Sequence, residues 1–454
     1  MKDYDVVVIG AGSAGMVAAS QAASMGAKTA ITEKWKLGGD CPNRACIPTK
    51  ALLYSAKLLS KFRQAEKYGL KADNVGFDWL KVQEWKNKVV EERVSKESEA
   101  NLKAQGIDLY WGQASFKSKN EIKVGEDILK AKKIIITAGS VPAVFPIAGL
   151  VDVRYITSNE AVDLKKLPES IIIVGAGAVG VEFAQIFNSF GIEVTVFEAA
   201  PHIIPAADTE TAEALGKYLS NQKINFYIGA KVQKFEKAGD LKKATVDLGD
   251  GKIAEFKAEE VMMATGRKPD FEGLNIEASG VETSNKGIVV DETLKTSVDH
   301  IYAAGDITGI MQFTHMATYQ AIHAAYNSLT KKEPVKADYR VVPWVAFSDP
   351  EIAGVGKTEE NLQQEGIKYK KSVFEFKDIG KSSTQAEYDG FVKILAEEGT
   401  NQILGGFIVG PDAGELIHEI VVAMAGEIPA DKIGKAIFAY PTWSEAVGSA
   451  AVDF

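Results

Sequence analysis

Cysteine is scarce in this 454-residue chain: Cys41 and Cys46 are the only two, and histidine numbers five. A structural zinc centre takes four Cys or His ligands, and no histidine stands at a ligand spacing from either cysteine, so no metal site is expected. A scaffold of disulfides is excluded by the same count. Positive charge is also short: the net charge of −9 argues against a nucleic-acid surface, which would be basic. No apolar run approaches the length of a bilayer span. Met1 to Asp5 leads straight into the apolar VVVIG, leaving no room for a signal peptide, so the reading is a cytoplasmic protein. What the chain does have is 46% hydrophobic and 25% charged residues, an ordinary globular balance with length for two to four domains.

The two cysteines sit together in LGGDCPNRACIPTKALL, residues 37–53, where a helix is expected from Ile47 onward. Two thiols separated by four residues can close into a local disulfide or open into a dithiol, and a helix N-terminus beneath them favours the attacking thiolate. A purely structural disulfide would gain little from so short a loop. The pair therefore reads as a redox-active centre.

Residues 4–34 carry a strand, a glycine turn at Gly10, Gly12 and Gly15, an alanine-rich helix and a second strand ending at Glu33. That is the dinucleotide fingerprint: glycines let the backbone approach a pyrophosphate at a helix N-terminus, and the terminal acid takes a ribose hydroxyl. The pattern is then repeated. Gly175, Gly177, Gly180, Gly191 and Glu198 follow Gly10, Gly12, Gly15, Gly26 and Glu33 at one offset of 165 residues. Two such units in one chain imply two dinucleotides.

A looser pair, IIITAGSVP (134–142) and VMMATGRKP (261–269), reads as the strand that returns each unit to its parallel sheet. Helical periodicity in 54–68 and from 77 to 105 marks an insertion found only in the first unit. Ile301 to Ala304 read as a strand stopping at Gly305 and Asp306. Asp306 is placed either to accept a ligand hydroxyl or to cap the following helix. Past Lys331 a polar connector leads to four expected strands (WVAFSDPEIAGVG, YKKSVFEF, FVKILAE, ILGGFIVG) and a helix, GELIHEIVVAMAG. The fold class is therefore α/β, with two Rossmann-like units and a C-terminal α+β domain; the expected boundaries are 1–150, 151–275, 276–335 and 336–454. Trp35, Trp344 and Trp443 are expected in core or interface, and the histidines as structural or surface groups, with His315 the exception worth following.

The order of first fingerprint, GGxCxxxxCxPxK, second fingerprint, GRxP, AxGD and a terminal PTxxE resembles the pyridine nucleotide-disulfide oxidoreductases from end to end. That resemblance implies an enzyme: an FAD-bearing homodimer in which the first unit binds FAD and the second a nicotinamide cofactor. Glu33 then takes the adenosine ribose and Asp306 the ribityl chain, while Lys34, Gly39, Gly139, Gly266, Arg267 and Gly305 line the cofactors. Cys46 corresponds to the thiol against the flavin and Cys41 to the one that exchanges with substrate. Lys50 and Glu182 match an ion pair beside flavin N5, and Tyr440 and Glu445 belong to the proton-transferring motif that reaches the partner subunit's site. Glu198, followed by Ala199, Ala200 and Pro201 with no Arg, points to NADH over NADPH.

Two departures bear on the substrate. The family's disulfide reductases carry His where this chain has Tyr440, and a phenol, with a reference pKa of about 10, is a poor base near neutrality. Mercuric reductase resembles the chain in having Tyr there, but it also has a C-terminal cysteine pair, and this chain ends SAAVDF. The expected activity is NAD(P)H:disulfide oxidoreduction of a dihydrolipoamide dehydrogenase-like kind, with metal-ion or quinone reduction as the alternative.

Overall fold

The computed structural model describes residues 1–454, which fold as two compact units. The first gathers 1–51, 83–143 and 266–338. Its sheet holds five parallel strands in the order 107–111, 29–33, 2–9, 127–136, 301–303, continued by an antiparallel hairpin at 121–124 and 114–118. A parallel sheet is covered on both faces, so its strands must be apolar on both sides, as VVVI is. Val6 and Val8 turn toward Ala14, Ala18 and Ala22 of the Ser13–Ser24 helix and Ala321 and Ala325 of the Thr314–Leu329 helix. Tyr4, Val7 and Ile9 turn to the opposite core with Ile134 and Ile136.

The second unit gathers 52–82, 144–265 and 339–454. Its four parallel strands run in the order 225–228, 193–198, 170–174, 260–263. The 165-residue repeat extends to strand register: Ile9 faces Thr32 and Val174 faces Phe197, each partner moved by the same step. The two return strands behave as expected, 127–136 lying parallel to 2–9 and 260–263 parallel to 170–174.

The C-terminal sheet has five strands where four are expected, because WVAFSDPEIAGVG is two: Trp344–Ala346 and Glu351–Gly356 pair antiparallel across a turn in which Ser348 Oγ donates to the carbonyl of Pro350. The helix Ala413–Ala425 lays Leu416, Ile417 and Ile420 on this sheet against Val355, Ile394 and Ile408. The periodic stretch 77–105 is likewise two helices, Trp79–Val94 and Glu99–Ala104, because Ser98 accepts the N–H of Asn101 and starts a new one. Trp443 is core, edge-on to Phe376, and Trp344 packs beside the core. Trp35 is not core: it is exposed, with the Arg44 guanidinium 4.2 Å above its ring.

Candidate active site

Both parallel sheets reverse strand order between their first and fourth strands, and ligands of such sheets bind beyond the carboxyl ends at that point. Gly10 and Gly139 follow the two strands there in the first unit, and Gly175 and Gly266 follow their counterparts in the second. Gly10 and Gly175 have φ of +97° and +103°, a region that a side chain rarely enters. A Cβ on Gly15 would come within 1.8 Å of the Gly10 carbonyl, and one on Gly180 within 2.0 Å of the Gly175 carbonyl. The helices beginning after Gly12 and Gly177 have no acid in their first turns, so their N-termini are open to a phosphate.

The acids complete each cradle in the same way. Glu33 accepts the N–H of Ala11 at 2.8 Å and of Trp35 at 2.7 Å, and Glu198 accepts those of Ala176 at 2.7 Å and Ala200 at 2.8 Å. Each carboxylate is thereby fixed at the rim of its glycine turn with lone pairs to spare for a ribose hydroxyl. These two cradles fit two dinucleotides.

The cysteine stretch abuts the first cradle. Gly38 donates its N–H to the Ala11 carbonyl, and a Cβ on Gly39, where φ is +64°, would come within 2.8 Å of Gly12 Cα. Cys41 lies in a five-residue helix, Asp40–Arg44, and Cys46 opens the Cys46–Arg63 helix one residue earlier than expected. Neither is in a disulfide, and both are half-buried. Cys46 Sγ is 3.5 Å from Thr314 Oγ1, at the first turn of the Thr314–Leu329 helix. The Cys41 thiol is pushed up, chiefly by its hydrogen bond to Cys46 and then by burial, while Thr314 and Arg93 pull the other way. The two sulfurs therefore share ionisation as a pair.

Beside them runs a polar chain absent from the sequence-level expectations. Asp40 Oδ1 accepts Arg44 Nε at 2.9 Å, and Asp40 Oδ2 accepts Arg267 Nη2 at 2.6 Å. Arg267 Nε donates to Ser140 Oγ at 2.7 Å, and Ser140 donates to Asp306 Oδ2 at 2.5 Å. Arg267 is rigid because the tails of the two return strands pair with each other, Arg267 opposite Pro142 and Pro269 opposite Ser140. Burial pushes the Asp306 carboxyl up, against the opposing pull of Ser140 and Arg267. Asp306 does not cap the long helix, which starts at Thr314 after Phe313. Gly305, at φ +82°, lies against Ala14 and Ala317, and Lys34 Nζ pairs with Asp270 at 2.7 Å.

Lys50 is half-buried one turn into the Cys46 helix. Glu182, buried in the second unit, accepts the N–H of Phe347 at 3.0 Å. Tyr440 is 77% exposed with its hydroxyl over Gly380, and Glu445 accepts the N–H of Thr442 at 3.0 Å. His315 stacks on Phe313, ring centroids 5.3 Å apart, at the start of the Thr314 helix. The acids Asp208, Glu210 and Glu359 converge as metal ligands would, but Lys393 Nζ already occupies their centre at 2.7, 2.9 and 2.5 Å.

The family model for pyridine nucleotide-disulphide oxidoreductases matches residues 4–321, and that family's dimerisation-domain model matches 342–451. The chain is a pyridine nucleotide-disulphide oxidoreductase. This oxidoreductase is 36% identical over 468 residues to a dihydrolipoyl dehydrogenase of Bacillus subtilis, covering 99% of the chain and 98% of the relative. It is 32% identical over 453 residues to a mercuric reductase of Bacillus cereus, covering 100% of the chain and 72% of the relative. Among solved structures it is similar to the HOCl-induced flavoprotein disulfide reductase of Escherichia coli, with a TM-score of 0.86 at 28% identity over 98% of this chain and 99% of that one. A Cu(II) complex of the same reductase matches at a TM-score of 0.88, with 28% identity and 99% of both chains covered. Membership makes the oxidoreductase an FAD-dependent disulfide oxidoreductase using a nicotinamide cofactor, and no helix is long and apolar enough to cross a membrane.

Proposed function

We propose that this enzyme transfers two electrons from NADH, through FAD and the Cys41–Cys46 couple, to a small disulfide in the cytoplasm, where NADH is at hand. The carrying observation is that the chain's two thiols lie in the stretch that abuts the first glycine cradle, with Cys46 Sγ 3.5 Å from Thr314 Oγ1. In balance, NADH, a proton and RSSR give NAD+ and two RSH. Bound FAD supplies the two-electron relay between hydride and disulfide, and the chain's own groups hold and align the partners. The Gly10–Gly12–Gly15 turn and Glu33 would hold its adenosine half, with Lys34, Gly39, Gly139, Gly305 and Asp306 along the rest of the cofactor. Gly175, Gly177, Gly180 and Glu198 would hold the nicotinamide dinucleotide, with Gly266 and Arg267 at the return strand. Glu198, fixed by two N–H groups, repels a 2′-phosphate and so favours NADH. Lys50 and Glu182 are assigned beside the flavin, Cys46 as its thiol neighbour and Cys41 as the exchanging thiol.

A second reading, reduction of a soft metal ion, is supported by Tyr440 and by the similarity to a reductase solved with Cu(II). Ile437 and Tyr440 are 101% and 77% exposed in the single chain, which supports a homodimer whose second copy covers them and brings Tyr440 and Glu445 to the neighbouring site. Light scattering at micromolar concentration tests the assembly, and a monomer would defeat it. Cys46→Ser decides the central claim: disulfide reduction should vanish while NADH-dependent dye reduction persists, and disulfide turnover by this variant would defeat it.

A further inference from the structure

Cys41 rides on a helix too short to hold itself. Isolated helices below about 12 residues are marginal, and Asp40–Arg44 has five residues. It is bounded by Gly39 at φ +64° and by Ala45, whose φ of −124° and ψ of −99° break the helix from the one that carries Cys46. The position of Cys41 relative to Cys46 therefore depends on what grips this turn from outside. Asn43 Nδ2 donates to the Leu37 and Gly39 carbonyls at 3.0 and 2.8 Å, which ties the turn only to its own loop. Arg44 stacks on Trp35 and pairs with Asp40, both local. A charged bond ties this turn to a distant strand: Arg267, 227 residues away on the strand 267–269, donates Nη2 to Asp40 Oδ2 at 2.6 Å. Arg267 is itself held by Ser140 through two bonds, at 2.7 and 2.8 Å.

We propose that Asp40, gripped by Arg267, is a positioning residue that holds Cys41 in register for disulfide closure with Cys46. The inference rests on the reading of these cysteines as the redox couple. Closing the disulfide releases two electrons and two protons from the dithiol, and glutathione disulfide takes them to give two glutathione thiols. The closed form is favoured in proportion to the time the two sulfurs spend in reach of each other, and releasing the Asp40 clamp shortens that time. Loosening the turn thus favours the dithiol and makes the couple more oxidising. Asp40→Ala should shift the equilibrium with glutathione about tenfold toward dithiol, which is about 30 mV for a two-electron couple. Asp40→Asn, which keeps acceptors but loses the charge, should fall between.

The test is equilibration of the flavin-loaded enzyme in graded glutathione buffers, followed by trapping with a maleimide-polyethylene glycol and a gel. With only two cysteines in the chain, each shift reports this pair. Flavin content and thermal midpoint are measured alongside, because a residue that only supported the fold would move those and leave the equilibrium alone. A wild-type equilibrium constant in Asp40→Ala overturns the inference. If that variant fails to retain flavin, Asp40→Asn decides, a smaller shift of the same sign supporting the clamp and no shift overturning it. A wild type that forms no internal disulfide at any ratio would instead remove the reading of the cysteines themselves.

Discussion

Thr314 Oγ1 lies 3.5 Å from Cys46 Sγ at the N-terminus of a 16-residue helix, and Thr314 also pulls the Cys41 thiol toward ionisation. A hydroxyl donor and a positive helix end both favour thiolate over thiol. Anaerobic reduction with NADH should therefore give, beyond the bleaching of the flavin band, a long-wavelength absorbance from thiolate against flavin. A hydrogen bond to a charged group contributes about 1.5 kcal/mol, so Thr314→Val should raise the pH midpoint of that band by about one pH unit. Absence of the band in wild type would uncouple the thiols from the cofactor.

On the proposed reading, Glu198 sets the nicotinamide preference. Wild type should show the higher kcat/KM with NADH. Glu198→Ala removes both the repulsion of a 2′-phosphate and the acceptor of two backbone N–H groups. KM for NADH should rise severalfold, kcat should change little, and the preference should narrow. Steady-state kinetics with both cofactors checks this, and a wild-type preference for NADPH would overturn it.

Lys393 is a test of stability. Its side chain is fully buried among Asp208, Glu210 and Glu359, with Asp208 1% exposed. Removing one partner of a buried ion cluster costs about 3–5 kcal/mol, so Lys393→Met should lower the unfolding free energy by that order at pH 7. Burial alone would push Glu210 and Glu359 up, but their bonds to Lys393 hold both below the ordinary carboxylate range. Carboxyls depressed in the fold stabilise it above their unfolded pKa, about 4.3, and lose that contribution as pH falls through the native value. Without the lysine the three acids repel, and protonation relieves them. The gap between wild type and variant should therefore narrow from pH 7 toward pH 4, as urea unfolding can measure.

The parts legible in the sequence were those written locally. Both cradles are local because a positive φ demands glycine and because each acid bonds an N–H only 22 residues away, and the repeat that exposed them reaches down to matching hydrogen bonds at Ala11 and Ala176. Asp40 carries no local signal, since its partner Arg267 is 227 residues distant and reaches it only through the pairing of two three-residue strands. Thr314 was hidden similarly, 268 residues from Cys46. The fifth C-terminal strand was missed because an apolar run crossing a Pro turn has the same composition as one long strand. Trp35 is outside the core, its exposed ring under a guanidinium that hydrophobicity does not foresee.

On the proposed reading, Tyr440 discriminates between the two acceptors. The Cys41 thiol is held up by Cys46 and by burial, so thiol–disulfide exchange needs a base to take its proton, and the thiolate population climbs as pH rises. The family's disulfide reductases have an imidazole at the position of Tyr440, whereas a phenol titrates near 10 and Glu445 is engaged by the N–H of Thr442. Dihydrolipoamide turnover should therefore be weak at pH 7 and increase toward pH 9. Tyr440→His should raise it at pH 7 by about tenfold or more, the low end of what a matched general base contributes. On the metal-ion reading the order reverses: the phenol is then a ligand or donor, Tyr440→His should lower Hg(II)- or Cu(II)-dependent NADH oxidation, and Tyr440→Phe should abolish it. Profiles of kcat/KM against pH for wild type and both variants, with lipoamide, a small disulfide and each metal ion, separate the two. Fast lipoamide turnover by wild type at neutral pH would remove Tyr440 as the discriminating residue and leave an ordinary dihydrolipoamide dehydrogenase with a phenol in place of the imidazole.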